Sequence, residues 1–594
     1  MEAGHPLYIP LPGRITRQAL ARITGLDALA SIYDGWQTYA AASSGKGADG
    51  FLDFCLRELK ATLQWRGADL GALPGTGPVI VAANHPLGCL EGMLMSRELL
   101  RLRPDTRVLA NELLLRFPEF RELFIGVDVL HGDAAARNGA GMRAACRHLA
   151  GGGALLVFPA GTVAGYSLLR RRLEERPWNP VLGRLALRYG AACLPVHIRG
   201  RNRLPFYLSG YVHPRLRTAL LPRELLAARG RSVEACAGEL LSAREVRALG
   251  DDAAVTRCLR FAVDTLAPAG ARRQPAAGES TRATAAIGGG VKPSSLAAEH
   301  ERLAPYRLHE KGDLAVYCAP HAKLGSVMEQ IAVERERTFR AVNEGTGREL
   351  DHDRFDPHYW HLWVWHRTNR EIAGAYRIGR TDEIVREHGL RGLYSRSLYA
   401  YDGGFLDGMG PALEVGRSFV SLPYQRHSQV LDMLWRGIGA FMLANPGYHT
   451  LFGCVSISSH YSALARAFLA DAMMTNFALA APWCSKVRPS VPLRVRGKYW
   501  SREMLAPLNN VAVINKLLGQ LDRGRRIPIL LRHYLALNGR FVSFGVNRGF
   551  NDSLDGLIVV DLRRAPQRYL SRYMGEIGSR AFLANWEEND EQAA

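Results

Sequence analysis

Cysteine is sparse and unpatterned. Nine cysteines lie scattered through 594 residues with no C-x-x-C pair. That spacing excludes a disulfide framework and a zinc site and points to a reducing compartment. Long apolar runs are also missing. The best stretches, "GGGALLVFPAG" and "IPILLRHYLAL", fall far short of the ~18–20 residues a helix needs to cross a bilayer. The opening stretch, "MEAGHPLYIPLPGRITRQAL", has no apolar core of a secretory signal. Acidic residues are in deficit, 56 against 76 basic ones, for a formal charge of +20. Such a balance suits an anionic lipid surface, an acidic protein or nucleic acid. The expected location is the cytoplasm, and peripheral on the inner face of the membrane if lipid is the partner.

What is present is ample apolar material, 47% of the chain, enough for more than one core. The stretch from Ala267 to Ser295 is rich in Ala, Gly, Ser, Thr and Pro and nearly empty of large apolar residues. It reads as a flexible tether. The expected division is residues 1–266, a linker over 267–298, and residues 299–594. In the first part, apolar strands such as "GPVIVAAN", "TRVLAN", "ALLVFPAG" and "ACLPVHIRG" alternate with helical patterns. This predicts an α/β fold, a mostly parallel sheet with helices on both faces, with ligands at the C-terminal strand ends. The second part mixes a hairpin of aromatic strands, "YWHLWVWHR" and "EIAGAYRIG", with the helix "VLDMLWRGIGAFMLAN" and the strand "HTLFGCVSIS". This is an α+β pattern.

The stretch "VAANHPLGCLEG" ends a strand with Asn84 and His85 and sets Glu91 six residues after the histidine. Such a pair has two readings. A carboxylate that orients an imidazole makes a general base for a hydroxyl attacking a thioester. Alternatively, Asn-His-Pro is the polar punctuation of a buried turn. "NHPLGCLEG", "VFPAGTVAG" and "LPVHIRGRN", in this order, resemble the glycerolipid acyltransferase superfamily, most closely its hemolysin-like branch, which includes O-acyltransferases of ornithine-lipid synthesis. The resemblance covers roughly Gly77 to Gly210. It implies catalytic roles for His85 and Glu91 and acceptor-binding roles for Asn84, Gly161, Asn138 and Arg143. Pro195 falls at its fourth motif. Two departures stand out: the usual spacing is H-x4-D, whereas position 90 is Leu and the acid is Glu91, and the usual "FPEG" is "FPAG", with Ala160 for the glutamate tied to phosphorylated acceptors. The basic run Arg170, Arg171, Arg172 and Arg176 is either a solvated face or an approach surface for anionic lipid or an acidic carrier.

In the second part Arg335 and Phe339, Asp351, Asp353 and Asp356, Arg377, and Glu414 and Arg417 follow one another. "DHDRFD" lacks the glycine and terminal glutamate of a calcium loop, so no metal is expected. Glu414 with Arg417 is either a base with its partner or a buried salt bridge; His460 in "SSHY" is a further histidine of either kind. The set R-x3-F, D-x2-D, R, E-x2-R resembles the acyl-homoserine-lactone synthases and the related N-acyltransferases that form lyso-ornithine lipid, both variants of the GNAT fold. That resemblance implies catalysis by Glu414 and Arg417, and substrate binding by Arg335, Phe339, Asp353, Asp356 and Arg377. The loop "QRHSQV" from Gln425 lacks the glycines of an acyl-CoA loop. Acyl carrier protein, with its phosphopantetheine thioester, is therefore the expected donor and no bound cofactor is expected. Together the halves resemble the bifunctional ornithine-lipid synthases: N-acylation of ornithine by the second half, then O-acylation of the new 3-hydroxyl by the first, with the tether raising the local concentration of the intermediate. The expected partners are acyl carrier protein, ornithine or another amino acid, and an anionic membrane surface, not nucleic acid. The rival expectation is an N-acyl amide signal synthase fused to a non-catalytic membrane-docking half.

Overall fold

The computed structural model describes residues 5–8, 14–42, 47–127, 138–168, 172–267 and 284–593. The chain forms two compact units, each with its own sheet. Residues 268–283 of the expected linker lie outside the described residues. Its later part is not loose: Gly288 N–H bonds Glu349 O at 3.1 Å, and Pro293–Arg302 is a helix with Leu296 buried.

The first unit holds a seven-stranded sheet in the order Thr62–Gly67, Ser232–Ala237, Ala192–Arg199, Val79–Ala83, Ala154–Val157, Arg107–Asn111, Phe124–Val127. Every neighbouring pair is parallel except Ala192–Arg199 with Ser232–Ala237. The Val79 strand is central and wholly buried, which explains its unbroken run of apolar residues. Val79, Val81 and Ala83 enter one core with Trp36, Phe51 and Leu94; helices Asp252–Thr265 and Val181–Tyr189 cover the sheet elsewhere. One boundary differs from expectation. Glu503–Arg523 belongs to this unit rather than to the second half. Its helix Val511–Leu521 is apolar enough to be buried, with Val513, Ile514, Leu517 and Leu518 inside. Lys516 Nζ fixes it, donating to Glu245 Oε2 and to Leu240 O, each at 2.6 Å.

The second unit holds an eight-stranded sheet in the order Arg307–Lys311, Leu314–Pro320, Trp360–His366, Glu371–Arg380, Ala412–Val420, Thr450–Ile457, Ser553–Asp561, Arg540–Asn547. It is antiparallel throughout except where Ala412–Glu414 runs parallel to Thr450–Phe452. The helix Ser428–Ala444 makes the crossover between those two strands. Their ladder stops after three residues, and the crevice beside its end, lined by Phe452, Gly453, Cys454 and Tyr534 among others, has no room for a water molecule. The opposite side of the Thr450 strand stays paired to the Ser553 strand along its whole length. So the sheet is split at one seam only. A bulge between Ala375 and Arg377, and a left-handed backbone at Arg417 (φ 49°), re-aim side chains beside that seam.

Gly453 is required at the seam. A Cβ there would stand 2.0 Å from the Val415 carbonyl oxygen, a backbone atom that cannot step aside. Gly453→Ala is expected to lower stability by about 1–3 kcal/mol or more, read as a reduced urea midpoint.

Candidate active sites

The first site starts where the Val79 strand ends. Asn84 does not face a ligand. Its Nδ2 donates to Ile198 O (2.9 Å) and its Oδ1 accepts from Ile198 N–H (2.6 Å), so both ends clamp the neighbouring strand. That clamp sets the direction in which the chain leaves the sheet. Gly88 then turns with φ 98°, and helix Cys89–Leu102 begins. Leu90 is 2% exposed in the core, whereas Glu91, one helical step of ~100° further round, points back at the turn. This explains the altered spacing: the position of the usual acid is committed to packing, and a side chain longer by one methylene reaches from the next.

Glu91 is fully buried. Its Oε1 accepts from Leu87 N–H (2.8 Å) and Gly88 N–H (2.7 Å) and lies 3.0 Å from His85 Nδ1. The ring is off the line of that last contact, so Nδ1 makes no hydrogen bond, and Glu91 Oε2 is equally unspent. His85 keeps 19% exposure and leans on Phe158 at 4.5 Å between centroids. Its backbone is pinned too: its N–H donates to Glu175 and its carbonyl accepts from Ala164 N–H at 2.9 Å. Gly161 (φ 66°) closes the "FPAG" turn onto Phe158 O at 3.0 Å, and Ala160 is buried. Asn138 precedes helix Gly139–Ala150 and Arg143 stands exposed on it. Pro195 lies inside its strand, beside Ala82. Arg170 and Arg171 lie outside the described residues; Arg172 pairs with Glu174 at 2.8 Å.

In the second unit the predicted charged residues come together, but mainly onto one another. Arg335 grips both carboxylate oxygens of Asp356 at 3.1 and 3.0 Å. Arg377 donates to Asp353 (2.7 Å) and Asp356 (3.0 Å) and lies over the rings of Tyr359 and Tyr394. Arg417 donates to Asp353 at 2.8 Å, approaches Asp351 at 3.4 Å, and lies 4.2 Å over Phe550. Burial opposes the charge on Asp353, but Arg377 and Arg417 outweigh it and hold the carboxyl at about 2. Asp356 is held lower still by Arg335 and Arg377. Phe339 is half-buried against Phe419 and Phe550. His460 is exposed.

Glu414 takes the other of its two readings in a changed form. It is not Arg417's partner. It is 2% exposed and accepts from Tyr359 OH, from Tyr394 N–H (3.1 Å) and from Ser395 N–H (2.6 Å). With Tyr359 OH and Tyr394 N–H on one oxygen and Ser395 N–H on the other, the carboxylate holds the turn at 394–395.

Two acids that sequence reasoning passed over are better placed. Glu344, 5% exposed, accepts from Ser456 Oγ of the seam strand at 2.7 Å. Burial, offset in part by that hydroxyl and reinforced by the charge of Asp555, pushes its carboxyl up to about 7. Asp555, also buried, accepts from Asn547 Nδ2 and Ser553 Oγ, each at 2.9 Å; burial raises its pKa despite both bonds and Arg417. Neither acid has an ion pair among the described residues. The one visible signal was a lone aspartate inside the apolar strand "SLDGLIVV"; Glu344 sits in a polar loop that looks like surface.

Residues 46–261 match a family described as Acyltransferase, and residues 335–436 one described as Acetyltransferase (GNAT) domain. The protein is thus an acyltransferase enzyme with one such domain in each part of the chain. It is 30% identical over 261 residues to a glycine N(alpha)-acyltransferase of Phocaeicola vulgatus, covering 41% of this chain and 79% of that one. A glycine N(alpha)-acyltransferase of Bacteroides thetaiotaomicron is 30% identical over 285 residues, 44% and 82% of the two chains. An L-ornithine N(alpha)-acyltransferase of Agrobacterium fabrum is 27% identical over 263 residues, 42% and 80%. The chain belongs to this family of N(alpha)-acyltransferases. No helix among the described residues is long and apolar enough to cross a membrane.

Two outcomes follow from this geometry. Arg335→Met takes one of the two guanidinium partners of buried Asp356, leaving Arg377, and is expected to cost about 3–5 kcal/mol in denaturant unfolding. Glu344, whose folded pKa lies above its ordinary 4.5, contributes stability that is complete below that value and lost as pH rises through about 7. Stability curves at stepped pH should slope downward across that window, and Glu344→Gln should flatten them.

Proposed function

We propose that the chain is a bifunctional acyltransferase that makes a two-chain acyl amino acid. The second unit joins a 3-hydroxyacyl group to the α-amine of ornithine; the first then esterifies the 3-hydroxyl. The observation that carries this reading is that each unit holds an acid–base group not consumed by its own fold: His85 backed by Glu91, and Glu344 beside Asp555.

In the second unit Glu344, near half ionised at neutral pH, accepts a proton from the α-ammonium. The amine attacks the thioester carbonyl, the carbon–sulfur bond breaks, and the thiolate leaves with a proton. Strand N–H groups past Phe452, where the ladder to the Ala412 strand has ended, stand at the seam to receive the oxyanion. The buried Arg–Asp network holds that seam in shape. In the first unit His85 Nε2 takes the proton of the 3-hydroxyl as its oxygen attacks the second thioester, while Glu91 holds Nδ1–H; the imidazolium then returns the proton to the departing thiolate.

Ornithine is favoured because Glu344 and Asp555 are two neighbouring carboxylates without an ion-pair partner among the described residues, and ornithine brings two ammonium groups. Glycine is the second reading, supported by the two relatives named for it. Acyl carrier protein as donor is supported by the net charge of +20 and by a Gln425–Val430 loop with no glycine. A membrane surface as docking site is supported by Leu204, Leu208, Tyr211, Val212 and Leu216, all exposed on two adjoining helices.

Lipid masses read from a host lacking aminolipids test the whole scheme. His85→Ala should abolish the two-chain product and accumulate the single-chain one. Glu344→Gln should slow N-acylation ~10²–10³-fold and remove its rise near pH 7. A water-soluble acyl amide as the only product would defeat the reading.

A further inference from the structure

Beside His85 lies a cavity of about 270 Å³, lined by Thr162, Val163, Glu175, Arg176, Gly210 and Arg217, among others. It adjoins the histidine through two backbone bonds: His85 N–H to Glu175, and Ala164 N–H to His85 O at 2.9 Å. The acids on its wall are engaged. Glu175 also accepts from Trp178 Nε1 (2.9 Å) and pairs with Arg260 (3.1 Å). Glu174 pairs with Arg172. Arg176 and Arg217 have no carboxylate partner among the described residues. They stand near enough that Arg217's guanidinium is lowered in pKa, by burial first and by the charge of Arg176 second. Gly165 and Gly210 leave Arg217 its room: a Cβ on either would come within 3.1 and 3.2 Å of its atoms. Two like charges in a half-closed site are relieved by a bound anion, and guanidinium groups bind planar oxyanions by paired hydrogen bonds.

We infer that this cavity is the headgroup site of the O-acylating unit, in which Arg176 and Arg217 receive the carboxylate of an N-acyl amino acid while its 3-hydroxyl reaches His85. The inference rests on the O-acylation reading above. A phosphate would satisfy the same two cations. The carboxylate is favoured because Ala160 stands where phosphate-acceptor relatives resembled by the sequence carry glutamate.

The test uses the full chain with an acyl-thioester donor and three acceptors: N-(3-hydroxyacyl)ornithine, its α-carboxamide, and lysophosphatidate. The carboxylate acceptor should show a KM on the order of 10–100-fold below that of the carboxamide. Arg217→Gln and Arg176→Gln should erase that difference by raising the carboxylate's KM, with kcat and the donor's KM within about twofold. Arg217→Lys should restore part of it. An unchanged kcat for O-acylation of the carboxamide acceptor by the same preparations shows that the first unit of each variant is folded. Equal discrimination in wild type and variants, a shift falling on the donor's KM instead, or preference for lysophosphatidate would overturn the inference while leaving O-acylation intact. Failure of the wild type to esterify any acceptor overturns the O-acylation reading, and this one with it.

Discussion

The second unit depends on a lattice of buried charge: Arg335, Arg377 and Arg417 against Asp351, Asp353 and Asp356. A buried ion is costly unless paired and hydrogen-bonded, so each of these side chains has essentially one place to be. The lattice ties a helix, a loop and two strands together beside the seam where the sheet opens. Its stability gain over an apolar core is small. What it confers is position: Arg417 is held in a left-handed backbone over Phe550, and the loop that carries Glu344 follows directly from the helix that carries Arg335.

The two units treat carboxylates in the same way. One acid is spent on the backbone to shape a turn, and another keeps capacity in reserve. Glu414 is held by three donors, from Tyr359, Tyr394 and Ser395. Glu344 has one hydroxyl donor and a raised pKa. In the first unit Glu91 does both: Oε1 caps its own helix start and lies 3.0 Å from the imidazole, while Oε2 is buried and unbonded. A carboxylate's chemistry is set by how many donors already hold it.

Much of this was legible in the sequence. An unbroken apolar run between helical patterns meant a buried parallel strand, and the histidine at its end lies where the pattern put it. The aromatic hairpin pairs as expected, Trp360 to Ile378 and onward. Other features were not legible. Asn84 looked like a ligand but clamps Ile198, 114 residues away. Residues 503–523 fold with the first unit because an amphipathic helix records that it needs an apolar partner, not which one.

The sequence by itself determined the apolar strands and helices of the first sheet and the aromatic hairpin of the second, because those features rest on local periodicity; the two acyltransferase domains were read from a resemblance of motifs, not from periodicity. The tertiary structure alone decided that Glu414 takes three hydrogen bonds at a turn, that Glu344 is buried with its pKa raised, and that Arg176 and Arg217 line one cavity. Burial, partner count and the charge of residues tens to hundreds of positions away fix those properties, and none of them is written in the neighbouring sequence.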